Sequence, residues 1–139
     1  LDISKSAINV AKINAKIQQV ENRITFVHSD IDKFCANKYD FIISNPPYIK
    51  KLKLNNLNED VKKFEPVTAL DGGINGVEIY KKVIMKGSKL LKTGGQLILE
   101  IEETHIFKLI NMLVKSKFFI SEISNDLNGY KRCLIATKL

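Results

Sequence analysis

Two cysteines, three prolines and two arginines are all that this chain of 139 residues contains of those types. Each shortage narrows what it can be. Cys35 and Cys133 lie far apart, and neither has a neighbouring ligand pattern. They read as buried or incidental thiols of a reducing cytoplasm rather than a disulfide or a zinc site, so no metal is expected. No stretch approaches the ~18–20 apolar residues that span a bilayer, and no membrane segment is expected. Repeats and low-complexity tracts are missing too. An apolar content of 45% suits one ordinary domain, or most of one.

Because arginine is confined to Arg23 and Arg132, the net charge of +7 is almost all lysine. A basic surface can favour RNA or a ribosome-associated partner. Dispersed lysines also simply solvate a surface, and no lysine–aromatic stripe is visible, so nucleic acid is a secondary expectation.

Two of the three prolines are adjacent, in Asn45-Pro46-Pro47-Tyr48. The apolar run Tyr39–Ser44 before them reads as a buried strand ending in a loop. Each proline fixes φ, lacks an N–H and drives the preceding residue out of the helical region. A stiff, extended loop results. Asn45 stands at the strand's C-terminal edge, and Tyr48 brings a flat ring. The Asn45 side-chain oxygen and the Pro46 carbonyl are two acceptors that suit the two N–H donors of an amide or exocyclic amine. Asn-Pro-Pro is also a common turn sequence, and the three residues alone do not decide between these readings.

Elsewhere the spacing predicts alternating elements. Ser4 is an expected N-cap of a helix with Ala7, Ile8, Ala11, Ala15 and Ile17 inward, running to about Val20. A short strand is expected at Ile24–His28, ending at Ser29-Asp30. Lys50 to Phe64 is a long polar segment with function or a short helix of its own, and Ala69-Leu70-Asp71-Gly72-Gly73 an ordered loop. A helix is expected from about Asn75-Gly76, with Val77, Tyr80, Ile84, Gly87 and Leu91 buried and Gly94-Gly95 as its stop. A strand at Gln96–Ile101, a helix at Thr104–Lys117 and two antiparallel strands, Phe119–Ser124 and Lys131–Thr137, complete the pattern. The expected fold is α/β: a mostly parallel sheet closed by one antiparallel strand.

In such sheets ligands bind beyond the C-terminal strand ends. Asp2, Asp30 and Asn45 fall at three such ends. An acidic residue at the second strand can take both ribose hydroxyls, and one at the next can accept from an adenine amino group. A lone Asp after a strand is equally an N-cap. His105 reads most simply as a surface histidine at a helix start.

These residues resemble the class I S-adenosylmethionine-dependent methyltransferases, and more closely the protein-(glutamine-N5) methyltransferases of peptide chain release factors, the HemK or PrmC group. The matching pieces are Leu1–Ser4, His28-Ser29-Asp30, Ser44–Ile49, Glu65-Pro66 with Ala69–Gly73, Gly76, Tyr80, Leu99–Ile101, Asp126, Gly129 and Arg132. The Asn-Pro-Pro-Tyr loop alone is shared with adenine-N6 methyltransferases of DNA and RNA; Glu65-Pro66 and Ala69–Gly73 separate the glutamine group.

The resemblance implies a Rossmann-like fold, S-adenosyl-L-methionine as cofactor, a release factor as protein substrate and a cytoplasmic enzyme. It implies Asp2 on the cofactor ribose, Asp30 and Ile31 near the adenine, and Asn45, Pro46, Pro47 and Tyr48 on the substrate glutamine, with Asn45 also bordering the cofactor. The family often has an aromatic at the Ile31 position, and commonly Gly and Gln where this chain has Glu102 and His105. It also implies that residues 1–139 are the C-terminal part of one catalytic domain. The first strand, the Gly-rich cofactor loop and an N-terminal helical domain are expected before Leu1. Without them Ile24–His28 is expected to lack a pairing neighbour, and cofactor binding to be weak. Two alternatives stay open: an adenine-N6 methyltransferase of RNA or DNA, and a non-catalytic binding module.

Overall fold

The computed structural model describes every residue except Asn37. The chain forms two compact units, Leu1–Ala36 and Asn37–Leu139.

In Leu1–Ala36, helix α1 spans Lys5–Ile17, and the Ser4 hydroxyl caps it by accepting from the Ala7 N–H at 3.2 Å. Ile8 and Ala15 are buried and Ala11 half-buried, whereas Ala7 and Ile17, expected inward, are exposed. The helix stops short of Val20 because Gln19 turns left-handed at φ 55°. The expected strand at 24–28 is reduced to one parallel bridge between Asp2 and His28. The Asp2 N–H donates to Val27 O and the Ser29 N–H to Asp2 O. The segment therefore has a neighbour, contrary to expectation, and it is the stretch at Asp2.

Asn37–Leu139 contains a four-stranded sheet. Its elements are β1 (Tyr39–Ser44), α2 (Glu59–Phe64), α3 (Val67–Leu70), α4 (Glu78–Leu90), β2 (Leu91–Glu100), α5 (Ile106–Lys115), β3 (Phe118–Asn125) and β4 (Lys131–Lys138). Two 3₁₀ turns, Lys51–Asn56 and Glu103–His105, join them. Spatial order is β1-β2-β4-β3. β1 and β2 pair parallel, and β4 runs antiparallel to both β2 and β3. Three strands thus point one way and β4 the other, as the sequence pattern implied.

One face of the sheet is the core. Ile42 and Ser44 face Leu97 and Leu99, which face Ala136 and Leu134 on β4. Leu97, Leu99, Leu134 and Ala136 are wholly buried, together with Tyr80, Ile84, Leu109 and Leu113 of α4 and α5. Truncating such a leucine to alanine costs about 2–5 kcal/mol. The alternate residues Phe41 and Ile43 are exposed. The predicted α4 stripe is present, with Val83 and Leu90 added.

Gly94-Gly95 does not stop α4. The helix ends at Leu90, where Leu91 turns extended, and the glycines lie where the β1–β2 register jumps. Two lysines brought from afar satisfy the helix's last carbonyls: Lys138 Nζ donates to Ser88 O and Lys38 Nζ to Lys89 O. The polar segment after Lys50 carries the Lys51–Asn56 turn and α2, as expected of so long a connection. Among the described residues no helix is long and apolar enough to cross a membrane.

Candidate active site

At the end of β1, Ser44 still pairs with Leu99. The chain then leaves the sheet through an exposed Asn45, a buried Pro46, and half-buried Pro47 and Tyr48. It is caught again at once. Ile49 forms a parallel bridge to Asp71, its N–H donating to Leu70 O at 3.0 Å while Ile49 O accepts from the Gly72 N–H at 2.9 Å. Lys51 N–H adds a bond to Gly73 O. The four loop residues are therefore pinned at both ends.

Two glycines make that approach possible. A Cβ on Gly72 would lie 2.6 Å from Tyr48 Cα, a backbone atom that cannot swing aside. Gly76, at φ 76°, is in the left-handed region, and its absent Cβ would fall 2.5 Å from Tyr48 O. The turn between them is held by the Glu78 carboxylate, which accepts from the Asn75 and Val77 N–H groups and the Asn75 side-chain amide. Burial opposes that charge, but the hydrogen bonds outweigh it and hold the Glu78 carboxyl below its usual range. The expectation of a glycine-dependent ordered loop at 69–73 is met.

Within this pinned loop two acceptors remain unused. Among the described residues, neither the Asn45 side chain nor the Pro46 carbonyl takes a hydrogen bond. An exposed Asn45 side chain and an unengaged Pro46 carbonyl are acceptors of the kind that a planar NH₂ group can use.

His105 is not the surface residue that its sequence position suggests. It is 3% exposed, and its Nδ1 has no hydrogen-bond partner among the described residues. Burial keeps its pKa below 6.5, helped by Lys50 and Lys108 and opposed by Glu102 and Glu78. It meets Tyr80 edge-on at 6.4 Å between ring centroids. Tyr80 is fully buried and donates its O–H to Glu100 O at the end of β2, 3.0 Å away. Burial pushes the Tyr80 phenol well above its ordinary range; the Glu102 backbone opposes this, and the charges of Tyr48, Glu100 and Glu102 reinforce it. It stays a neutral donor.

Arg132 joins the same end of the sheet. Nε donates to Asp126 Oδ2 at 3.3 Å and Nη1 to Ile101 O at 3.4 Å. Burial works against its charge, but Asp126, Tyr48 and Glu100 more than compensate. Spacing alone had no means of assembling His105, Tyr80 and Arg132 beside Tyr48. The one signal for it was a glycine-rich segment some twenty-five residues after a Pro-Pro loop, a spacing that permits close backbone contact.

In Leu1–Ala36, Asp2 is exposed; its Oδ1 accepts from the Ser4 N–H at 2.7 Å. Half-buried Asp30 accepts from the Asp32 N–H at 2.8 Å through Oδ1, beside a half-buried Ile31. Each carboxylate thus caps a turn with one oxygen. Oδ2 of each takes no hydrogen bond among the described residues. Cys35 is exposed and Cys133 half-buried, both as free thiols.

A sheet with one inserted antiparallel strand, helices on its buried face and an Asn-Pro-Pro-Tyr loop at a strand end defines a class I methyltransferase fold. The solved ribosomal protein L11 methylase from Lactobacillus delbrueckii subsp. bulgaricus superposes with a TM-score of 0.69 at 19% identity, over 99% of this chain and 55% of that one. A family model described as Eco57I restriction-modification methylase matches residues 2–128, and the chain belongs to that family. Its sequence is also similar to the release factor glutamine methyltransferase of Clostridium acetobutylicum, 33% identical over 99% of this chain and 49% of the relative. The protein of that name from Aquifex aeolicus is 36% identical over 99% of this chain and 48% of the relative. The chain spans about half the length of the curated relatives it matches.

Proposed function

We propose that the protein transfers a methyl group from S-adenosyl-L-methionine to the side-chain amide nitrogen of a glutamine in a peptide chain release factor. One observation carries this reading: among the described residues, a loop fixed at both ends leaves the Asn45 side chain and the Pro46 carbonyl unused as acceptors. An amide nitrogen is a poor nucleophile because its lone pair is conjugated. Accepting both of its N–H bonds orients the group and stabilises the positive charge that grows on nitrogen. Pro47 keeps the loop extended, and Tyr48 lies along the amide plane. The nitrogen needs no base before the methyl moves, since its proton can leave afterwards.

The bound cofactor supplies the electrophilic methyl carbon. Asp2 and Asp30 each retain one carboxylate oxygen, which fits hydroxyl and amino donors of an adenosine. We assign Asp2 to the ribose and Asp30 and Ile31 to the adenine. The similarity to release factor glutamine methyltransferases over 99% of the chain supports the choice of substrate, and cytoplasmic location follows from such a substrate.

A second reading has its own support. The matching family model is described by a restriction-modification methylase, and the +7 charge suits a nucleic acid. An adenine amino group presents the same two donors to Asn45 and Pro46. Labelled methyl transfer to a release factor against transfer to RNA or DNA separates the two, and label on the release-factor glutamine is the expected result.

A further inference from the structure

The His105 ring lies against Gly76. Its Cε1 is 2.8 Å and its Nε2 3.1 Å from the point that a Cβ on residue 76 would occupy, and Tyr48 O is 2.5 Å from the same point. The ring also packs on Tyr80, which is tied to Glu100 O at the end of β2. A buried nitrogen without a partner costs stability and persists only where its surroundings hold it in place.

We propose that the neutral His105 imidazole is a positioning residue for the Asn45–Tyr48 loop, and that protonating it releases the loop. This deepens the methyl-transfer reading and rests on it. The charged groups facing the ring come from every element around it. Glu102 lies in its own turn, Lys108 at the start of α5, Glu78 at the start of α4 and Lys50 just after the loop, while Tyr80 is neutral. A proton on Nδ1 has a carboxylate close by, Glu102 Oε2 at 4.0 Å. That oxygen now accepts from the Thr104 N–H and hydroxyl, holding the 103–105 turn. Drawing it to an imidazolium uncaps the turn and moves the ring that supports Gly76 and Tyr48. The sign follows from linkage. The folded state disfavours the proton relative to 6.5, so this support is complete above the unfolded value and lost as pH falls through the folded one.

The test uses the full-length protein. Nuclear magnetic resonance follows the His105 ring and the Tyr48 and Gly76 amides through an acid titration. Methyl transfer to a release factor is measured over the same range for wild type and His105→Gln. The ring is expected to titrate below 6.5, with both amides shifting at the same midpoint and transfer falling in the same step. His105→Gln keeps a polar side chain that takes up no proton there. Measured against the variant's own rate near pH ~8, the acid step should vanish. An acid step unchanged in His105→Gln overturns the proposal, as do Tyr48 and Gly76 amides indifferent to the ring's protonation. If His105→Gln does not fold, the wild-type titration decides alone. Absence of any transfer to release factors sinks the proposed substrate, while the amide shifts still decide the role of His105.

Discussion

Two segments that carry candidate residues are held in opposite ways. Asp30 is fixed by its own neighbours: its side chain accepts from Asp32, and its carbonyl from Lys33 and Phe34. Asn45–Tyr48 is fixed by residues far along the chain, through Leu70, Gly72 and Gly76, with His105 beside the last. A locally made turn survives substitution at a distance, whereas a clamped loop depends on every backbone that touches it. The first can present an acceptor cheaply. Only the second can hold two acceptors at fixed separation, which is what catalysis by orientation requires.

The most severe way to break this contrast is Gly72→Ala. The new methyl meets Tyr48 Cα at 2.6 Å, the backbone must move, and a displacement of about 1 Å can cost on the order of 10²-fold in rate. We expect activity to fall at least that far and the melting temperature to drop; an active, equally stable variant would mean that the clamp is not needed. Asn45→Ala should lower turnover by on the order of 10²-fold with the melt unchanged, as for loss of one preorganised polar contact. A near-normal rate contradicts its assignment.

On the local side, Asp30→Asn keeps an oxygen to accept from Asp32 and so leaves the melt alone. Loss of the carboxylate charge should weaken S-adenosylmethionine binding about tenfold, roughly 1.4 kcal/mol, by calorimetric titration. Unchanged affinity would reduce Asp30 to a turn cap. The smallest effect concerns Glu78, whose carboxyl is held below 4.5 by its hydrogen bonds. Its contribution is complete above that value and lost as pH falls through the folded one. Glu78→Gln should therefore flatten the acid side of stability against pH slightly, and a curve identical to wild type would show that the 73–77 turn holds without that charge.

What was legible in the sequence follows the same division. Pro46-Pro47 announces a stiff loop from its own chemistry, Ser4 announces its cap, and the apolar stripe of α4 announces its buried face. Strand Tyr39–Ser44 was found with its bounds but not its burial: it is an outer strand of the β1-β2-β4-β3 order, and none of its residues is fully buried. The larger misses involve distant partners. His105 is buried because Gly76 and Tyr80 close over it, and α4 ends at Leu90 rather than at Gly94, its last carbonyls taken by Lys38 and Lys138. Ile24–His28 has strand composition but one bridge, since pairing depends on what lies beside it. Spacing within a segment cannot report any of these.

Asn45 and Pro46 are proposed to grip a carboxamide. Mass spectrometry of a release factor incubated with S-adenosylmethionine and the full-length protein tests it most directly. One methylated glutamine is expected with wild type and an unmodified peptide with Asn45→Ala; an untouched release factor beside methylated adenine in RNA or DNA would overturn the assignment.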